Sequence, residues 1–124
     1  MKSKFVVIGL GKSGIGAARL LKQLGNEVII IEKEKNQNIE ITANKIKNEG
    51  IKVELGIGLE MNILKNKIGS INEIESLIIS PGIPWEHETL TKLRQNGVNI
   101  KSEMSLAWEL LKDIPWIGIT GTNG

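Results

Sequence analysis

The sequence has 124 residues, of which 40% are hydrophobic and 24% charged, and its formal net charge is +2. This size and composition predict one compact domain with a sizeable core and exclude a disordered chain. Cysteine is absent, which excludes disulfides and thiolate metal sites. The basic residues form no stripe, so we expect no nucleic-acid binding. The first apolar run breaks at Gly9, too early for a signal peptide or a membrane span, so we expect a cytoplasmic protein.

Short apolar runs alternate with segments of helical periodicity, which is typical of a parallel sheet covered by helices. The five apolar runs predict strands at 5–9, 28–31, 52–55, 76–80 and 98–101. The periodic segments predict helices at 14–24, 39–50, 89–96 and from residue 102 onward. In the last helix we expect Trp108 in the core, and between residues 56 and 75 only short ordered structure. The fold class is therefore α/β, a Rossmann-like five-stranded parallel sheet with helices on both faces.

A glycine-rich loop, Gly9-Leu10-Gly11-Lys12-Ser13-Gly14, follows the first predicted strand and precedes the first helix. This is the setting that the G-x-G-x-x-G motif requires. The first glycine allows a tight turn, the second lets a pyrophosphate approach the backbone, and the third lets the helix pack on the strand. The N–H groups around Lys12 and Ser13 would hold phosphate oxygens with help from the helix dipole. The alternative is a glycine turn without a ligand, but the flanking strand and helix favour binding.

Glu32 ends the second predicted strand, where an acid bonds the ribose hydroxyls in dinucleotide-binding folds. An exposed glutamate is also ordinary at a strand end, and we expect Lys33 beside it to be a solvent-exposed surface residue.

The loop Ser80-Pro81-Gly82-Ile83-Pro84 follows the fourth strand, at the edge of the sheet where ligands bind in open α/β folds. Its glycine would let a ligand touch the backbone, and its prolines stiffen it. A plain tight turn is the alternative. His87 has no partner that indicates metal binding or catalysis. Glu103 is either an ordinary first-turn acid or part of a site at the same edge.

The last residues, 116–124, read as a buried strand that runs into a glycine-rich phosphate loop, Thr120-Gly121-Thr122-Asn123-Gly124. The Lys-Ser/Thr pair of an ATP site does not follow within the sequence. We therefore expect residues 1–113 to form one domain. Residues 114–124 would be the truncated start of an ATP-binding central domain, a tail without its proper sheet.

Four motifs in this order resemble the Mur ligases of peptidoglycan synthesis, and most of all the D-glutamate-adding members. They are the glycine loop at 9–14, the loop at 80–84, Ser102-Glu103-Met104-Ser105-Leu106, and the segment 118–124. The resemblance implies a Rossmann-like N-terminal domain that binds the UDP part of UDP-N-acetylmuramoyl-L-alanine.

The resemblance also implies the roles of individual residues. The UDP-substrate site would consist of Gly9, Gly11, Lys12, Ser13, Gly14, Glu32, Lys33, Ser80, Pro81 and Gly82. Gly121, Thr122, Asn123 and Gly124 would be an incomplete ATP phosphate loop. Glu32 stands near the uracil, where the family usually has Asp, and Lys33 stands where relatives have a hydroxyl residue. Catalytic residues, metal ligands and cofactor sites are expected only in further domains, which would bind ATP, Mg²⁺ and D-glutamate, so this chain would be inactive alone.

The main alternative is an NAD(P)- or FAD-binding Rossmann domain of an oxidoreductase or of a regulatory module. It depends on the same glycine loop and on Glu32. A free-standing binding module is a third interpretation. The phosphate-loop strand at the end of the sequence favours the Mur ligase over both.

Overall fold

A computed structural model describes residues 3–68, 73–80 and 82–111. The strands are β1 Lys4–Ile8, β2 Glu27–Glu32, β3 Lys52–Leu55, β4 Ile74–Ile79 and β5 Ile100–Ser102. The helices are α1 Lys12–Gln23, α2 Gln37–Lys47, α3 Met61–Ile68, α4 Glu88–Gln95 and α5 Glu103–Leu111. Strands and helices alternate, as the sequence predicts.

The five strands form a single sheet in the order β3-β2-β1-β4-β5, and every neighbouring pair is parallel. The predicted fold class is therefore confirmed. The chain builds outward from β1 to β2 and β3, then returns to place β4 on the other side of β1. The carboxyl ends of β1 and β4 thus form the switch point of the sheet, where ligands bind in folds of this class.

Alternate side chains of each strand enter two separate cores, because successive residues of a strand point to opposite faces. In β1, Val6 and Ile8 enter one core and Phe5 and Val7 the other. The first core is closed by residues of α3 and α4, namely Leu64, Ile68, Leu90 and Leu93. The second is closed by residues of α1, α2 and α5, namely Ala18, Leu21, Ala43, Ile46 and Leu106. Helices cover both faces, as predicted.

Most element boundaries differ from the prediction by one to three residues, and two of these differences have a clear structural cause. Helix α1 begins at Lys12 rather than at Gly14, because extended Gly11 is already the N-cap. Strand β5 begins at Ile100 rather than at Val98, because the Val98 N–H donates to the carbonyl oxygen of Leu93 and so belongs to the end of α4.

The prediction that Trp108 lies in the core is wrong, since its side chain is 65% exposed and that of Met104 is 79% exposed. Helix α5 instead turns Glu103 and Leu106 inward. The expected tail at 114–124 and residues 69–72 of the poorly patterned segment lie outside the described residues. Among the helices that the structure describes, none is long and apolar enough to cross a membrane.

Candidate functional site

A cleft of about 410 Å³ opens at the carboxyl ends of β1, β2 and β4. Its walls come from these strand ends, from the loop after β3 and from the loop before α4. The lining residues are Ile8, Gly9, Ile31, Glu32, Lys33, Ile57, Leu59, Ser80, Gly82, Ile83, Pro84 and His87. The volume lies within the range of small-molecule sites, and the apolar walls with a few polar groups are typical of them.

The two predicted ligand loops meet at this cleft. Gly9 has a φ of +110°, which favours glycine, and its N–H donates to the Ile31 carbonyl oxygen over 2.8 Å. A Cβ atom at Gly9 would lie 4.0 Å from the Ser80 hydroxyl oxygen. The turn after β1 is thereby directed over the end of β2 and lies against the loop that follows β4.

The start of α1 is open to an anion. Its N-cap Gly11 has no side chain to cap the helix, and the first turn contains no acidic residue. By contrast, Asn36 caps α2 by accepting a hydrogen bond from the Ile39 N–H. The first N–H groups of an α-helix have no acceptor within it, and the helix dipole favours negative charge there. A Cβ atom at Gly11 would meet no atom within 4 Å, so the approach to these groups is open.

The third glycine of the loop allows α1 to pack closely on β1. Gly14 is buried, and a Cβ atom there would collide with the Gly9 carbonyl oxygen. The same atom would lie 3.4 Å from Val7 Cγ1 and 3.5 Å from Glu103 Oε2. The first and third glycines therefore form the turn and the close helix–strand contact that the sequence predicts, while a Cβ atom at the second would meet no neighbour.

Glu32 holds the glycine loop in place. Its Oε1 accepts a hydrogen bond from the Leu10 N–H, and its Oε2 accepts one from the Glu34 N–H, each over 2.8 Å. The residue also lines the cleft, and each carboxylate oxygen has a second lone pair for a ligand. This positioning role was not among the predicted ones, because the sequence does not reveal which backbone groups a strand-end acid will reach.

His87 lines one wall of the cleft, and Thr89 beside it bonds α4 to Leu59, another lining residue. The His87 Nδ1 accepts a hydrogen bond from the Thr89 N–H and so caps α4, while the Thr89 hydroxyl donates to the Leu59 carbonyl oxygen over 2.7 Å. Leu59 and Ile57 come from the segment with the weakest sequence pattern, and no motif could have assigned them to the site. His87 therefore lines the cleft at the start of α4.

The predicted site residues fall into two neighbouring groups. Gly9, Glu32, Lys33, Ser80 and Gly82 line the cleft. Beside it, Gly11, Lys12 and Ser13 are exposed at the start of α1, and Gly14 is buried beneath them. Pro81 and the predicted phosphate loop, Gly121, Thr122, Asn123 and Gly124, lie outside the described residues. Within the described ranges, no group of three or more His, Asp or Glu side chains could hold a metal ion.

In a comparison with protein families, residues 3–102 match the family described as Mur ligase MurD-like, N-terminal domain. Among curated proteins, the chain is 49% identical over 119 residues to UDP-N-acetylmuramoylalanine--D-glutamate ligase of Synechococcus sp. strain CC9902. It is 47% identical over 122 residues to the ligase of the same name from Prochlorococcus marinus strain MIT 9313. These alignments cover 96% and 98% of the chain but only 25% and 26% of the relatives, so the chain spans about a quarter of their length.

Two of the solved structures with a similar fold come from Thermotoga maritima. One is UDP-N-acetylmuramate-alanine ligase MurC of Thermotoga maritima, with a TM-score of 0.62 and 18% identity over 88% of this chain and 23% of that one. The other is N5-carboxyaminoimidazole ribonucleotide synthetase of Thermotoga maritima, with a TM-score of 0.52 and 20% identity over 90% and 30%. At these identities the likeness concerns the fold alone.

The contact beneath Gly14 leads to a stability prediction. Gly14→Ala should destabilise the fold by about 1–3 kcal/mol, because the new methyl group forces α1 away from the Gly9 carbonyl. Gly16→Ala, in the same helix but in open space, should instead stabilise it by up to about 1 kcal/mol through helix propensity. Urea unfolding of both variants measures the difference. Equal effects of the two substitutions would show that the close contact does not exist.

The contact between Glu32 and the loop leads to a second prediction. In Glu32→Ala, the Leu10 amide should exchange its hydrogen with solvent faster, because its acceptor is removed. Glu34→Ala is the control, since the exposed side chain of Glu34 accepts none of the loop's hydrogen bonds in the described residues. Amide hydrogen exchange followed by NMR reports both. Unchanged protection of Leu10 in Glu32→Ala would contradict the positioning role.

Proposed function

The chain belongs to the Mur ligase family, as a MurD-like N-terminal domain, and we propose that it binds the UDP part of UDP-N-acetylmuramoyl-L-alanine. One observation carries this proposal. An uncapped helix N-terminus lies beside a mostly apolar cleft at one edge of the sheet. A ligand with a diphosphate joined to a flat base and a ribose matches that pair of surfaces.

The diphosphate is assigned to the start of α1. Backbone N–H groups of Lys12 and Ser13 would donate to its oxygens, with the helix dipole behind them. Lys12 adds a positive charge and Ser13 a hydroxyl at the exposed first positions of the helix. Gly11 keeps this approach free of side-chain atoms.

The uridine is assigned to the cleft. Ile57, Leu59 and Ile83 provide apolar walls for a flat base, and Gly82 lies exposed where its backbone can meet the uracil or ribose. Glu32 can accept a hydrogen bond from the uracil while it continues to hold Leu10. Lys33 also lines the cleft, as does Ser80 in the loop that carries Gly82.

The complete ligase would join D-glutamate to the L-alanyl carboxylate of this substrate with ATP and Mg²⁺. That reaction would belong to peptidoglycan synthesis in the cytoplasm and so to cell-wall biogenesis, cell shape and cell division. The part described here supplies substrate binding, and we assign no catalytic residue to it. Membership of the family does not favour the alternative of an NAD(P)- or FAD-binding domain.

Calorimetry with UDP, UDP-N-acetylmuramoyl-L-alanine and NAD in one buffer tests the proposal. Both uridine ligands should bind more tightly than NAD, because the cleft holds one base beside the phosphate site. Gly11→Val should weaken UDP binding by at least about tenfold, or 1.4 kcal/mol, since its side chain occupies the approach to the phosphate site.

The control for that substitution is Gly16→Val, which adds the same side chain to open space farther along α1. It should leave UDP binding unchanged. Tighter binding of NAD than of either uridine ligand would overturn the proposal. Full UDP affinity in Gly11→Val would show that the diphosphate binds elsewhere.

A further inference from the structure

The imidazole of His87 is held in one tautomer by the helix that it caps. Its Nδ1 accepts a hydrogen bond from the Thr89 N–H over 3.1 Å. In a neutral imidazole one ring nitrogen is an acceptor and the other carries the proton. Because Nδ1 is the acceptor here, the proton lies on Nε2, and His87 offers an N–H donor from that side of its ring.

The Nε2 atom of His87 is available to a ligand. It has no hydrogen-bond partner in the described part of the chain, and it is not buried. Since Nδ1 faces the backbone of α4, Nε2 is turned away from that helix, and the residue lines the cleft. The bond from the Thr89 hydroxyl to the Leu59 carbonyl oxygen fastens this end of α4 to another part of the cleft wall. The donor is therefore held in a fixed place.

The other polar side chains that line the cleft offer different chemistry. Glu32 is an acceptor, and each of its carboxylate oxygens already receives a backbone N–H. The Ser80 hydroxyl both donates and accepts, so it does not distinguish a donor from an acceptor on a ligand. Lys33 donates, but its ammonium group ends an exposed and flexible side chain. Among these lining residues, His87 combines a fixed position with a donor at the atom that is free.

The place of His87 relative to the proposed phosphate site indicates which end of a nucleotide it meets. Helix α1, whose start is that phosphate site, covers one face of the sheet, and α4 covers the opposite face. A ligand with its diphosphate at α1 therefore extends across the carboxyl edge of the sheet toward the start of α4. In uridine the C4 carbonyl lies opposite the N1 atom that bears the ribose, so O4 is the part of the base farthest from the phosphates.

We propose that His87 selects the base of the ligand, through a hydrogen bond from its Nε2–H to the O4 atom of uracil. This inference rests on the proposed function, which assigns the uridine to the cleft. Uracil and cytosine differ at this position, because C4 bears an acceptor oxygen in uracil and a donor amino group in cytosine. A fixed donor pairs with the first and faces a second donor in the other. Sites that match the hydrogen-bonding groups of one ligand discriminate against an analogue that leaves them unpaired.

Two substitutions separate the cap from the donor. In His87→Asn, the side-chain Oδ1 can replace Nδ1 as the acceptor of the Thr89 N–H, but the side chain is too short to replace the Nε2 donor. In His87→Gln, the longer amide can supply a donor near the position of Nε2, but glutamine is not a favoured N-cap. We therefore expect His87→Asn to unfold at the temperature of the unsubstituted chain and His87→Gln to unfold at a lower one.

Calorimetric titration of the 124-residue chain and both variants with UDP and CDP tests the inference. The unsubstituted chain should bind UDP more tightly than CDP. In His87→Asn, UDP affinity should fall about three- to tenfold, as expected for the loss of one hydrogen bond, while CDP affinity stays unchanged. His87→Gln should retain most of the preference for UDP despite its lower stability.

An unchanged preference for UDP in His87→Asn would overturn the inference. Equal losses of UDP and CDP affinity would also overturn it, since the donor would then meet a group that both ligands share. Loss of the preference in His87→Gln but not in His87→Asn would show that the cap matters and the donor does not. Absence of UDP binding to the unsubstituted chain would contradict the proposed function itself, whereas intact UDP binding with an unchanged preference contradicts only the role of His87.

Discussion

The close contact between the first turn of α1 and the end of β1 is the constraint on which the site depends. Gly14 lies so near the Gly9 carbonyl oxygen that no larger residue fits there. This contact fixes where α1 starts relative to the sheet and aims its first N–H groups at the edge where β1 and β4 end. A helix N-terminus can bind the anionic part of a larger ligand only if the helix is fixed in position relative to the rest of the ligand site.

A second set of contacts joins that helix start to the cleft. The Gly9 N–H is bonded to the end of β2, and Glu32 at that end holds the Leu10 N–H. The loop that leads into α1 is thus tied to the strand that forms one wall of the cleft. Both halves of the site therefore belong to one rigid frame, which suits a ligand whose phosphates and base are covalently joined.

The parallel sheet and the glycine loop could be predicted from the sequence, because both follow from local patterns. Apolar runs that alternate with segments of helical periodicity indicate a parallel sheet. Few backbone structures fit the glycine spacing between a strand and a helix. The walls formed by Ile57, Leu59 and His87 could not be predicted, since they depend on how a weakly patterned segment folds back on α4. The same holds for Glu103 and Trp108: helical spacing predicts that α5 has an inner face, but the packing against α1 decides which residues occupy it.

NMR mapping of the UDP site on the 124-residue chain tests the central claim most directly, because each amide reports its own surroundings. As UDP is added, the amide signals of Leu10, Gly11, Lys12, Ser13 and Gly82 should move together and saturate at one concentration. Amides on α2, such as that of Asn44, should stay in place. Saturable movement confined to α2 and β3, with the loop at 9–14 unaffected, would contradict the account.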